Sequence, residues 1–320
     1  MARRASSLSV PERSLRRMGR GRLRAAITVA GLAAAVGFVS APPSEGLGTA
    51  PPAASAAGRE TPSALGDRNI FPRRVLVAYY GTATTASLGV LGEAPPDEIT
   101  KRLRRAARPY ARSGRKVQIV YELIVTIADG SAGSDGDYSH DIARSSVKKY
   151  IRAGRRNDAL VVLDVQPGRS TFPSVARRWA WALKKPHVGL ALDPEWRMGP
   201  TEVPAQTVGS VGAKEVNRTS RWLARLTRSH GLPEKVFIIH QFRTDMVEHI
   251  RRVKDRRPLA MIQHVDGFGS QAQKKATYHN VAKPRQFHMG FKLFYDEDSD
   301  LFRPREVLRL RPRVEYVSYQ

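Results

Sequence analysis

The stretch "ALVVLDVQPGRSTFPSVARRWAWALKKPHVGLALDPEW", residues 159–196, sets two short apolar runs on either side of a segment with helical periodicity. The runs, 159–167 and 187–196, are rich in Val, Leu and Ala and too short for independent helices, which suits strands buried on both faces. Between them, 173–184 carries apolar residues at helical spacing. Strand, helix, strand predicts parallel pairing through a right-handed crossover.

Outward from this unit the pattern repeats. Further apolar runs lie at 74–82, 116–126, 235–242, 259–269, 287–298 and 313–320, making eight in all. Helical segments are predicted at 97–112, 139–153, 213–230, 244–256 and 271–282, and only the connection before the last run lacks a convincing helix. Eight strands alternating with helices over about 250 residues is the pattern of an α/β fold of the (β/α)₈ TIM-type barrel class. A single domain over 67–320 is therefore expected, closing without its last helix and leaving a gap for a further segment or a partner. A doubly wound open sheet is the competing fold. It would normally place a glycine-rich phosphate turn after its first strand, and "YYGTATTASLG" (79–89) has no such fingerprint.

Six arginines between positions 13 and 24 precede the apolar run Ala25–Ala41. This is the pattern of a signal peptide over 1–41, with a retained anchoring helix as the other reading, because the run sits at the short limit of roughly 17–25 residues for a bilayer span. Residues 42–66, rich in Pro, Ala, Ser and Gly, read as a disordered linker. Export, and a secreted or envelope-associated location, follow from the first reading. The chain has no cysteine, which excludes disulfides, thiolate metal sites and a cysteine nucleophile. Its formal charge is +25, of which residues 57–320 carry +19. Such a field favours anionic envelope polymers, with membrane contact expected only if the N-terminal segment is retained. No nucleic-acid-binding motif interleaves basic and aromatic residues, so nucleic acid is not an expected partner.

A barrel places its site at the C-terminal ends of its strands. Polar residues cluster there: Tyr79 and Tyr80, Glu122, Asp164 and Gln166, Asp193 and Glu195, His240 and Gln241, Gln263, His264 and Asp266, then Lys292 and Asp296. Glu122, inside "VQIVYELIV", is costly to bury alone and so is expected to face a polar pocket or a cation. Asp193 and Glu195, read as residues i and i+2 of one extended strand, would have Cα atoms about 6.6 Å apart and point the same way. Two carboxylates so placed suit glycosidic cleavage, one donating a proton and the other remaining ionised. Trp196 beside them would raise a carboxyl pKa or stack on a sugar ring. Candidate catalytic residues are thus Glu195 and Asp193. Tyr80, Glu122, Asp164, Gln166, Trp196, His240, Gln241, Gln263, Asp266 and Lys292 are candidates for substrate binding, and Asp164 or Glu122 is an alternative ionised partner. The competing reading of Asp-Pro-Glu is a strand-ending turn whose acids cap the next element or pair with Arg197.

Lys292 is open to two readings, a Schiff-base nucleophile or an ion pair with Glu122 or Asp193. The loop 128–141 would cover the site or hold a cation. His240 and His264 could be ligands, but are expected as satisfied polar residues at the rim, since no His-x-His pair or other strong metal spacing is present. Neither a metal nor a cofactor is expected.

The "LDPEW" of 192–196 resembles the Asp-x-Glu of family 25 lysozymes and the end of the Asp-x-x-Asp-x-Asp-x-Glu signature of family 18 chitinases. That resemblance implies a glycoside hydrolase with Glu195 as acid and Asp193 as helper. The chain departs from it where the two upstream acids of the chitinase signature fall on Val188 and Ala191, and where "VAYYG" lacks the first-strand aspartate of family 25. As a whole the chain resembles secreted or cell-wall-associated barrel proteins of high-GC actinobacteria, which its 41 Arg against 13 Lys also fits. The expected partner is a cell-wall or extracellular polysaccharide. A non-catalytic glycan-binding barrel and an envelope scaffold remain as alternatives.

Overall fold

The computed structural model describes residues 69–320; the leader and linker read from the sequence lie outside them. Eight parallel strands form a closed barrel: β1 Arg74–Gly81, β2 Lys116–Ala128, β3 Leu160–Val165, β4 Val188–Leu192, β5 Lys235–His240, β6 Leu259–Val265, β7 His288–Leu293 and β8 Val314–Tyr319. Each pairs with its sequence neighbours, and β1 pairs with both β2 and β8, so the barrel has no edge. Closure rules out the open doubly wound sheet.

Among the described residues seven helices accompany the strands: α1 Pro96–Ala107, α2 Arg144–Arg156, α3 Phe172–Arg178, α4 Ala180–Leu183, α5 Ala213–Ser229, α6 Gln271–Val281 and α7 Pro304–Arg309. Their sequences account for their ends. Proline opens α1, Asp97 and Glu98 occupy its first turn and Arg104 and Arg105 its last, complementing the helix dipole. Ser270 caps α6 in a reciprocal capping box with Gln273.

Several boundaries differ from the sequence reading. The helix expected over 139–153 begins at Arg144, because Ser139–Asp141 pairs antiparallel with Thr126–Ala128. The single helix expected over 173–184 is split at Trp179, whose indole N–H donates to Thr126 Oγ1 at 3.0 Å. The helix expected over 244–256 does not form. Val247–Glu248 pairs instead with Val211–Gly212, and His249 takes a left-handed φ of 54° that an α-helix excludes. Conversely, a helix precedes the last strand: α7, six residues long and opened by Pro304. Its shortness hid its period.

The barrel interior follows the period of two. Leu76, Ala78, Val120, Leu160, Val162, Ala191, Val236, Ile238, Ala260, Ile262 and Tyr316 form one buried cluster, joined by Ile70 and Phe71 from the segment before β1. The alternate residues, Val77, Tyr121, Leu163, Leu190, Phe237 and Phe291 among them, pack outward in a second cluster with the helices. One further step along each strand brings the lumen to a polar layer.

Candidate active site at the barrel mouth

Two residues beyond an inward position on each strand stand Tyr80, Glu122, Asp164, Asp193, His240, His264, Lys292 and Ser318, one from each strand or its immediate end. All are buried. Below this layer the lumen is apolar; above it the strands give way to loops.

Glu122 is fully buried and accepts from Tyr316 Oη at 2.8 Å through Oε2, while Oε1 lies 3.0 Å from His240 Nε2. The expectation of a polar pocket around Glu122 is met by these partners. His240 reaches Asp266 through Nδ1 at 2.8 Å, so one imidazole spans two carboxylates. Burial opposes charge on His240, but hydrogen bonds to Asp266 and Glu122 outweigh it and raise its pKa well above the ordinary value. Asp266 feels the same burial, and its bond to His240 carries its pKa below the usual carboxylate range. His264 goes the other way: burial, reinforced by the charge of His240, lowers its pKa well below the ordinary value.

Tyr80 donates to Asp164 Oδ2 at 2.7 Å, and Gln166 approaches the same hydroxyl at 3.4 Å while its Oε1 accepts from the Ala128 N–H. Burial raises the Asp164 pKa to about 6, partly countered by His240. Burial likewise raises Asp193 well above the carboxylate range, with Asp164, Glu195 and Asp266 adding to it.

Glu195 is reached differently than expected. Strand β4 stops at Leu192 and Pro194 opens a 3₁₀ turn over Pro194–Trp196, so Asp193 and Glu195 are not i and i+2 of an extended strand. The turn still leaves Glu195 within the field of the mouth. Burial and the charge of Asp266 lift its pKa to about 7, against the pull of Lys292 and His240. The strand-ending turn at Pro194 is present, but Asp193 makes no capping bond, and Arg197 pairs with Glu215 at 3.1 Å instead of with either acid. Trp196 is half-buried beside them.

The remaining candidates divide. Lys292 forms neither of the expected ion pairs with Glu122 or Asp193; its ammonium sits 3.5 Å from the centre of the Tyr80 ring, a cation–π contact. Gln241 and Gln263 are not brought into the group. Gln263 donates to Gln241 Oε1 and to the Val281 carbonyl at the end of α6, and Gln241 donates to the Arg243 carbonyl, so both serve the layer outside the barrel. Tyr79 belongs to the outer cluster, and Asp296 is exposed on the loop after β7. In the loop 128–141, Asp137 accepts from Ser139 and Ser170, tying the loop to the β3–α3 connection.

Four members of the site were missed in the sequence or misplaced by it. His264 and His240 lie opposite one another in the β5–β6 register, inside the lumen and not at its rim. Tyr316 and Ser318 read as ordinary strand residues until the closure of β8 onto β1 turns them inward. A period-two count along every strand, from Ile238 to His240, Ile262 to His264 and Tyr316 to Ser318, would have found them. A separate groove of about 380 Å³ lies by the start of β2, lined by Arg104, Arg108, Gln118 and Asp158, away from the strand ends.

No protein-family model matches the sequence, and no curated protein matches it. Among solved structures the chain is similar to a glycoside hydrolase, the β-glucuronidase of Parabacteroides merdae with glycerol in its active site, at 9% identity and a TM-score of 0.36. The match covers 77% of this chain and 31% of that one, so the chain spans under a third of that enzyme's length. The barrel itself is established by the strand pairing.

Proposed function

We propose that this protein is an exported, envelope-associated glycoside hydrolase-like barrel that cleaves a wall or extracellular polysaccharide, with Glu195 as proton donor and Asp193 as its partner. The observation that carries the reading is the state of Glu195. It is the partly accessible carboxyl at a mouth lined by Asp164, Asp193 and Asp266, and its side chain has no hydrogen-bond or ion-pair partner among the described residues. An acid for glycosidic cleavage must be reachable, uncommitted and protonated near neutral pH, and a pKa of about 7 supports the last of these. Two large exposed aromatics on the loops following β6 and β7, Phe268 (67% exposed) and Tyr295 (43% exposed), offer flat surfaces of the kind that stack on sugar rings. The basic chain would hold the enzyme on anionic wall polymers.

The test is release of reducing ends from whole cell walls by the purified full-length protein, beside Glu195→Gln, Asp193→Asn and Asp266→Asn. Turnover by the wild type that falls at least about 100-fold in Glu195→Gln is expected for loss of a general acid. Which aspartate variant loses turnover identifies the ionised partner. Binding to walls without release by any of the four would give the barrel a glycan-binding role in place of hydrolysis.

A further inference from the structure

Beneath the mouth, three side chains converge in a way the proton-donor reading does not use. Glu122 Oε1 lies 3.0 Å from His240 Nε2 and 3.8 Å from His264 Nδ1, and the potential ligand atoms of the three residues all fall within 4.8 Å of one another. All three side chains are completely buried. Each is held from behind by a different partner: the far oxygen of Glu122 by the Tyr316 hydroxyl, Nδ1 of His240 by Asp266, and Nε2 of His264 by Ser318 Oγ at 3.0 Å. With His240 Nδ1–H donating to Asp266 and His264 Nε2–H donating to Ser318, the remaining ring nitrogens both face Glu122 Oε1.

His264 Nδ1 is the telling atom. It is buried with no hydrogen-bond partner. A nitrogen lone pair turned toward a carboxylate oxygen in a buried lumen is unfavourable unless a positive centre lies between them. We propose that Glu122, His240 and His264 form a binding site for a first-row divalent cation of the Zn²⁺ class in the barrel lumen.

The donor set fits that ion. Two imidazoles and one carboxylate are ligands of a four-coordinate Zn²⁺ with one position left for water or another ligand. Bonds of about 2.0–2.1 Å in tetrahedral geometry put donor atoms roughly 3.3 Å apart, and the two separations from Glu122 bracket that distance. Asp266, Ser318 and Tyr316 supply the outer hydrogen bonds that fix imidazole tautomer and carboxylate orientation at metal centres. The ion takes the place of the proton between His240 Nε2 and Glu122 Oε1, so binding releases a proton. Gly290 belongs to the same design: a Cβ there would stand 2.9 Å from His264 Cδ2, so the absence of a side chain on β7 makes room for that ring.

The experiment is titration of the untagged full-length protein, stripped with chelator, with Co²⁺ as a visible probe followed by Zn²⁺. Expected are one Co²⁺ per chain, a d–d absorption in the visible, its loss on adding Zn²⁺, and a rise in Tm with either ion. Glu122→Gln and His264→Gln should abolish the absorption, and Ser318→Ala, which leaves the three ligands in place, should weaken Co²⁺ by about 10-fold or more. The histidine ¹⁵N spectrum of the wild type provides a readout that does not depend on any variant folding. Two imidazole signals shifted by stoichiometric Zn²⁺ support the site. No stoichiometric Co²⁺ binding, an unchanged ¹⁵N spectrum, or Co²⁺ absorption that survives in a folded His264→Gln protein would overturn it and leave His240 as an imidazolium bridging two carboxylates.

Discussion

Burial of Glu195 links the stability of the fold to pH. Its folded pKa of about 7 lies above the ordinary value of 4.5. A raised carboxyl means that the fold prefers the protonated form, so this group costs nothing below about pH 4.5, and stability falls as pH rises through about 7. Glu195→Gln should therefore melt with the wild type at pH 4.5 and exceed it at pH 8 by on the order of 2 kcal/mol, read from paired denaturant titrations. Under the proposed hydrolysis the rate would share this origin. If Glu195 donates the proton, kcat/KM falls as pH rises through about 7, and a pH–rate profile without that limb would remove it from the donor role. Aspartate and glutamate were legible as site residues because an acid at the end of an apolar run has few structural uses. The partners were not legible, because Tyr80 on Asp164 and His240 on Asp266 are contacts across 84 and 26 residues that only the barrel brings together.

At the scale of elements, the mouth depends on how the loops after β6 and β7 are pinned. Lys274, buried on α6, meets Asp298 Oδ1 at 2.9 Å and also donates to the carbonyls of Gly267 and Lys292. Asp298 in turn accepts from the N–H groups of Gly269 and Phe294. One ion pair thus ties α6 to both loops. Asp298→Ala should cost about 3–5 kcal/mol, since it leaves a buried ammonium without its counter-charge. The double variant Lys274→Met/Asp298→Leu should regain part of that loss in urea unfolding, and a double variant no more stable than the single one would show that the backbone bonds to Asp298 matter more than the charge. Elements with strong periodicity, α1 and α5 among them, were readable as helices. The 244–256 segment carries helical periodicity too, yet its pairing with Val211–Gly212 prevails because a long-range partner is available there. Periodicity records a preference for burial, and a strand bridge buries Val247 as well as a helix would.

For the molecule as a whole, the charge of +25 is the property most open to test. Co-sedimentation of the full-length protein with anionic wall polymer should weaken steeply between 50 and about 500 mM salt, where the Debye length falls to about 4 Å. Binding insensitive to salt would assign retention to the aromatic mouth instead.

The chain by itself determined the barrel. Eight short apolar runs alternating with helix-length connections admit few topologies, because parallel strands need crossovers and crossovers keep one hand. It also determined that acids and histidines would gather at the strand ends. Tertiary structure alone decided which of them meet. Closure of β8 onto β1 set Tyr316 against Glu122, the β5–β6 register set His240 beside His264, and the 3₁₀ turn at Pro194 sent Glu195 toward the mouth by a route no extended strand provides. The physical reason is that strand periodicity fixes the face on which a side chain lies, while register and closure, which depend on the packing of the entire barrel, fix the neighbour it finds there.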